Sequence, residues 1–206
     1  MGRFEGELLV RAEKVAGLYP DPRSAIIPLC HLAQEQDGYV TEEAIAHIAE
    51  LVGATGAEVQ GTASFYDMFK FEPVGEYVIG VCTNISCMLR GGYGLLEAAS
   101  STLGVPPGET TPDGMFTLEE VECVAHCDKA PAVQINYRYF GPVDSEGFAE
   151  LVGQLRSGEL DGQIPKHGTL GRVLRDAPPP IPVEEIDAER ARQDGEREAR
   201  AASREV

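Results

Sequence analysis

The chain is short of several things, and each shortage removes a class of function. It has no tryptophan, and only 17 lysines and arginines stand against 34 acidic residues, a formal net charge of −17 over 206 residues. A molecule this acidic repels phosphate backbones and anionic lipid surfaces, so binding to nucleic acid or to a lipid surface is not expected. No apolar run approaches the roughly 20 residues of a membrane span, so direct membrane insertion is not expected either. The N-terminal MGRFEGELLV lacks the basic stretch and long apolar stretch of a secretory signal, which points to the cytosol. No glycine-rich dinucleotide fingerprint follows a strand, and there is no phosphate-binding loop and no evident acid–base pair. The chain therefore reads as having no NADH or flavin site, and no complete active site, of its own. Hydrophobic residues still make up 43%, enough for a real core.

Cysteine is scarce as well, but its placement is informative. Four of the five cysteines form two pairs, Cys82 and Cys87 in VCTNISC and Cys123 and Cys127 in ECVAHC, and no pair has the CxxC spacing. Each pair follows a stretch that reads as a strand, Tyr77–Val81 before Cys82 and Met115–Val121 before Cys123. Two loops from adjacent strand ends bring four thiolates together. In a reducing compartment such clusters bind metal or do redox chemistry more often than they form disulfides. Three readings fit the spacing. A [2Fe–2S] cluster takes four thiolate ligands. Structural zinc accepts cysteines at these spacings, though they are looser than its usual ones. A thiol–disulfide enzyme would normally carry CxxC, and a second pair would be redundant.

Along the chain, residues 1–75 read as a helical region. Phe4, Leu8, Leu9, Ala12 and Val15 recur at helical spacing, and Tyr19-Pro20-Asp21-Pro22 ends that helix. Ser24 is the expected cap of the next, which carries Ile26, Leu29, Cys30 and Leu32. Thr41 with Glu42 and Glu43 suits a third start, and Thr55 with Glu58 has the form of a capping box for a fourth. The stretch Ala63–Phe71 is the most aromatic of the chain and reads as a core plug, with a docking surface as the second reading. From Glu76 the pattern turns to strand, helix, strand, strand, helix, with Ala132–Tyr137 as a single further strand and a last helix after Ser145. That order predicts an α/β (α+β) fold, a small mixed sheet with flanking helices over residues 76–165. Residues 172–206 hold nine acids, seven arginines and few large aliphatics, and are expected to be a disordered charged tail.

CTNISC, the Gly91-Gly92 that follows it, and ECVAHCDKAP together resemble the thioredoxin-like [2Fe–2S] ferredoxin family. Within it the chain is similar to the branch that serves bacterial NADH:quinone oxidoreductase, respiratory complex I, and the ASFYDMF stretch fits that branch too. The resemblance implies a thioredoxin-like domain after a helical bundle, with Cys82, Cys87, Cys123 and Cys127 as ligands of one [2Fe–2S] cluster. It implies an electron-carrying subunit beside a flavoprotein partner that holds FMN and the NADH site, with other peripheral-arm subunits around it. The location implied is cytoplasmic, peripheral to the inner face of the cell membrane through the complex. The equivalent subunit of an NAD-linked hydrogenase or formate dehydrogenase is the alternative within the family, and a zinc-stabilised interaction module the alternative outside it.

One feature departs from the family pattern. Where relatives commonly have Leu-Gly and a small residue between the second pair, this chain has Val124-Ala125-His126, so a changed loop backbone is expected. His126 reads as a solvent-facing or neighbouring group, since four cysteines already make a full ligand set. Cys30 reads as a small buried hydrophobe, His31 and His47 as surface or core fillers, and Arg90 and Lys129 as flanking charges that either offset cluster charge or are merely solvated. Backbone N–H groups around Gly91 and Gly92 are expected to donate to sulfur.

Overall fold

The computed structural model describes residues 2–165 and 167. Four helices come first: α1 (Gly6–Ala16), α2 (Ile26–Asp37), α3 (Glu42–Val52) and α4 (Gly56–Ala63). Their starts are set by local chemistry. The Thr41 hydroxyl accepts the Ala44 N–H at 3.0 Å, and Thr55 and Glu58 form the reciprocal capping box that the sequence predicts. Gly53 stops α3 in the left-handed region, at φ 65°. Ser24 is not a cap. Pro22 opens a 3-10 turn, Pro22–Ala25, whose cap is Asp21, and α2 follows directly from it.

The second part runs β1 (Tyr77–Cys82), α5 (Ile85–Leu89), α6 (Gly92–Leu103), β2 (Phe116–Val121), β3 (Val133–Ile135), β4 (Arg138–Phe140) and α7 (Ser145–Ser157). The sheet order is β2-β1-β3-β4. β1 pairs parallel with β2, Tyr77 opposite Phe116 through Cys82 opposite Val121, and antiparallel with β3. β3 pairs antiparallel with β4. The fold is α/β with a mixed sheet, as expected, but with two elements more than the sequence pattern predicts. The expected single strand 132–137 is cut at Asn136 and Tyr137, whose φ values of 42° and 64° make a two-residue hairpin turn into β4. The residues after Cys82 also form a short helix, α5, capped by Asn84, whose side chain accepts the Ile85 N–H at 2.6 Å.

Two apolar cores result. One collects residues of the first four helices, Leu29, Cys30, Ile48 and Val59 among them, and Phe69 from the segment after α4. The other lies between one face of the sheet and α6 and α7. It joins Tyr77, Ile79, Phe116, Leu118, Val133 and Ile135 to Leu95, Ala99, Phe148 and Leu155. The segment between the cores is tied to both sides. The Gln34 amide donates to Met68 O and accepts the Lys70 N–H, each at 2.8 Å. Lys70 Nζ lies 2.6 Å from Glu119 Oε1 on β2, and the Gly75 N–H donates to Thr117 Oγ1 at 2.7 Å. The aromatic stretch is split: Phe69, 4% exposed, plugs the helical core as expected, and Phe65 is 81% exposed. The tail expected over 172–206 lies outside the described residues.

Candidate metal centre

The topology places the cysteines. β1, β2 and β4 run one way and β3 the other. The C-terminal ends of β1 and β2, the start of β3 and the end of β4 therefore share one end of the sheet, and both cysteine loops lie there. This is the end at which ligands gather in open α/β sheets, because the loops between strand and helix converge on it.

Cys82 is the last residue of β1 and Cys87 lies within α5, and both are buried. The first loop is thus partly helical and not an irregular polar loop. Cys123 stands two residues after β2 and Cys127 opens a 3-10 turn, Cys127–Lys129, and both are exposed. All five cysteines, Cys30 included, are free thiols. The loops are stitched to one another. The Cys82 N–H donates to Ala132 O and the Thr83 N–H to Val121 O, both at 3.1 Å, and the Cys82 thiol reaches Glu122 O at 3.7 Å. Cys82, Cys87, Val124, Ala130 and Ala132 form a small buried cluster apart from the main cores. Gly92 shows how tightly the first loop closes. A methyl group there would lie 2.8 Å from Cys82 O and 2.9 Å from Cys87 O.

The polar groups around the sulfurs are mostly backbone. The Ala125 N–H donates to Cys123 Sγ at 3.3 Å. Burial pushes the Cys87 thiol upward, an N–H from Ala132 opposes that shift, and the neighbouring Cys82 and Cys127 add to it. Cys87 thus has a cysteine of each loop within electrostatic reach. The expected donors near Gly91 are not the ones used: its N–H goes to Met88 O at 3.1 Å, within the turn that ends α5. Cys30 lies in the helical core, where burial alone pushes its thiol up to about 12. It is a small buried hydrophobe there, as the sequence suggests. Among the described residues no three His, Cys, Asp or Glu side chains close on one point as they would around a single ion.

Val124-Ala125-His126 keeps a tight loop without glycine. Val124 points into the small cluster with Cys82 and Cys87. Ala125 is left-handed, at φ 56°. The His126 ring lies 5.8 Å from that of Tyr139 on β4, with Nδ1 3.7 Å from Asp128 Oδ1. An alanine here holds a left-handed backbone, a conformation that glycine takes at little cost.

A family model described as thioredoxin-like [2Fe–2S] ferredoxin matches residues 12–156. The chain belongs to that family. Among its relatives, a subunit of the NADH-quinone oxidoreductase of Mycobacterium tuberculosis is 44% identical over 167 residues, 81% of this chain and 64% of that protein. The chain thus spans a little under two thirds of the mycobacterial relatives' length. NADH-quinone oxidoreductase subunit 2 of Thermus thermophilus is 39% identical over 178 residues, 85% of this chain and 98% of that protein. Among solved structures, an NAD+-reducing [NiFe]-hydrogenase in the H2-reduced state matches with a TM-score of 0.57 and 23% identity. It covers 66% of this chain and 23% of that one, a likeness of fold alone.

The residues present fit the cluster that gives the family its name. Four free thiols, two buried and two exposed, stand in two loops at one end of the sheet. The Ala125 N–H already donates to the Cys123 sulfur. The helix after the first loop approaches so closely that only glycine fits at its first residue. A [2Fe–2S] centre shares four sulfur ligands between two irons, so it does not need one convergent point.

Proposed function

We propose that the chain is the iron–sulfur electron-transfer subunit of an NADH:quinone oxidoreductase, holding one [2Fe–2S] cluster on Cys82, Cys87, Cys123 and Cys127. The observation that carries the reading is the meeting of the two cysteine loops at one end of the sheet, joined by the Cys82–Ala132 bond. The names of the relatives at 39–44% identity supply the kind of complex. The cluster, when bound, supplies one-electron redox chemistry. The protein's own part is to fix four sulfurs, to aim N–H groups at them and to bury one pair while leaving the other at the surface.

The partner in this reading is a flavoprotein subunit carrying FMN and the NADH site, with further peripheral subunits beside it. The surface next to the first cysteine loop suits such a partner. Ile85 and Leu89 of α5 are 67% and 77% exposed, with Met88 and Tyr93 partly exposed beside them. Apolar side chains grouped in this way mark an interaction site more often than a solvent-facing one. Among the described residues no helix is long and apolar enough to cross a membrane. Attachment to the cytoplasmic face through neighbouring subunits is therefore part of the proposal. Residues 1–75 as a helical region and 76–165 as the cluster domain are the units proposed to make these contacts.

The test is reconstitution with the flavoprotein. NADH added to the two chains together is expected to reduce the cluster, and NADH added to this chain alone is not. A cluster that stays oxidised with an active flavoprotein present would contradict the reading.

A further inference from the structure

Ala125 is a non-glycine residue in the left-handed region, at φ 56°, in the middle of the second cysteine loop. Such backbones are uncommon outside glycine and asparagine, and they concentrate where a function needs them. Here the neighbours show what the turn does. Val124 is buried against Cys82 and Cys87, and the His126 ring rests against that of Tyr139. The Ala125 N–H, fixed by the peptide plane it shares with Val124, donates to Cys123 Sγ at 3.3 Å, and the left-handed turn at Ala125 lets the chain go on to His126 without pulling that plane away. The Ala125 side chain itself is exposed. It packs on nothing that would explain the conformation.

We propose that Ala125 is a positioning residue: its left-handed backbone carries the chain on to His126 while its N–H stays on the Cys123 sulfur, and thereby sets how readily the bound cluster is reduced. The inference rests on the reading that Cys123 is a cluster ligand. A reduced cluster is more negative than an oxidised one, so an N–H donor to a ligand sulfur favours the reduced form and raises the potential. Because the side chain faces solvent, a substitution here acts through the backbone. Glycine and asparagine tolerate the left-handed region, while a β-branched residue does not.

The experiment uses the full chain, anaerobically reconstituted with iron and sulfide, as wild type and as Ala125→Gly, Ala125→Asn and Ala125→Val. Each is read by an EPR-monitored redox titration alongside its iron content and the melting temperature of the apo chain. The Gly and Asn variants are expected to keep the wild-type midpoint. The Val variant is expected to titrate at a more negative potential and to lose its cluster several-fold faster in air, with an apo melting temperature little changed. A Val variant with the wild-type midpoint, or an Asn variant shifted as far as Val, overturns the inference.

A second measurement covers a Val variant that holds no cluster at all. The wild type carrying isotopically labelled alanine nitrogen is expected to show label coupled to the cluster spin, part of which disappears in Ala125→Gly, where position 125 is unlabelled. Coupling identical in the two overturns the inference even though the cluster is present. A wild type that takes up no iron overturns the cluster reading itself, and this inference with it.

Discussion

The Cys82 backbone N–H donates to the carbonyl of Ala132 at 3.1 Å, so the first cysteine is held directly by the residue that leads into β3 from the second loop. This one bond makes the two cysteine pairs a single structural unit. It also helps to bury Cys82: β1 runs on between β2 and the approach to β3 until Cys82 itself is paired, while Cys87 is buried separately in α5.

Gly92 should be intolerant of any side chain. An added Cβ would meet Cys82 O at 2.8 Å and Cys87 O at 2.9 Å, and both are backbone atoms that cannot swing away. Gly92→Ala is expected to displace the first loop, at about 1–3 kcal/mol. Iron retained per chain after gel filtration should drop well below the wild type. Gly94→Ala on the same helix, where the added methyl group would meet nothing, is the control and should retain the wild-type iron.

The Lys70–Glu119 pair should stabilise the junction between the helical core and the sheet. The side chains lie 2.6 Å apart and keep 17% and 26% exposure. Lys70→Met is expected to cost about 2 kcal/mol, less than the roughly 3–5 kcal/mol of a fully buried pair, because part of each charge remains solvated. Urea denaturation checks the value. The double variant Lys70→Met, Glu119→Leu should recover most of the loss, since it leaves no unpaired charge.

Stability should decline as the pH falls below neutral, and His47 is one reason. Its Nδ1 accepts the Phe4 N–H at 2.9 Å, which requires the neutral ring on that side. Burial lowers its pKa, the Arg3 charge lowers it further, and Glu50 opposes them. Burial lowers His31 and His167 as well. A base whose pKa is lower folded than unfolded contributes stability that is present above the unfolded value of about 6.5 and is lost as the pH falls through the folded value. His47→Asn keeps an acceptor without the titration. Its unfolding free energy should therefore fall less than that of the wild type between about pH 7.5 and about pH 5.5.

The apolar surface of α5 should govern association and not the cluster. Leu89 is 77% exposed and Ile85 67%, so neither supports the core. Leu89→Gln and Ile85→Gln, which add no charge beside Cys87, are expected to leave iron content and midpoint potential unchanged. Affinity for the flavoprotein, measured by calorimetry or surface binding, should weaken about tenfold or more, the order of one lost interface anchor. Phe65→Asp, on the helical region, gives the comparison for an exposed aromatic far along the chain from the cysteines.

Much of this molecule was legible because its signals are local. Thr41, Gly53 and the Thr55–Glu58 box each satisfy or release the backbone within one helical turn, so they can be read without knowing the fold. The place of the four cysteines at two strand ends was legible because each pair comes at the end of a run of strand-forming residues, Tyr77–Cys82 and Phe116–Val121. The hairpin at Asn136 and Tyr137 was not. Asparagine tolerates a positive φ, but a tyrosine at φ 64° is held there by its surroundings. Among them, the Asn136 side chain accepts the Val78 N–H and donates to Glu76 O, both at 2.8 Å and both far away in sequence. The aromatic stretch was ambiguous for the same reason, since its pattern cannot show that Phe69 faces the helical core while Phe65 faces solvent. The Val124-Ala125-His126 departure was visible, but its outcome depended on Tyr139 and on the small cluster around Cys82.

The central claim is that Cys82, Cys87, Cys123 and Cys127 hold a two-iron cluster. The most direct test is EPR of the anaerobically purified, dithionite-reduced chain, with iron, sulfide and zinc analysis of the same sample and of single Cys→Ser variants. The account predicts a rhombic signal of a one-electron-reduced cluster with about two irons per chain. That signal should be lost or altered in each of the four variants and unchanged in Cys30→Ser. Stoichiometric zinc with no signal, even after reconstitution with iron and sulfide, would contradict it.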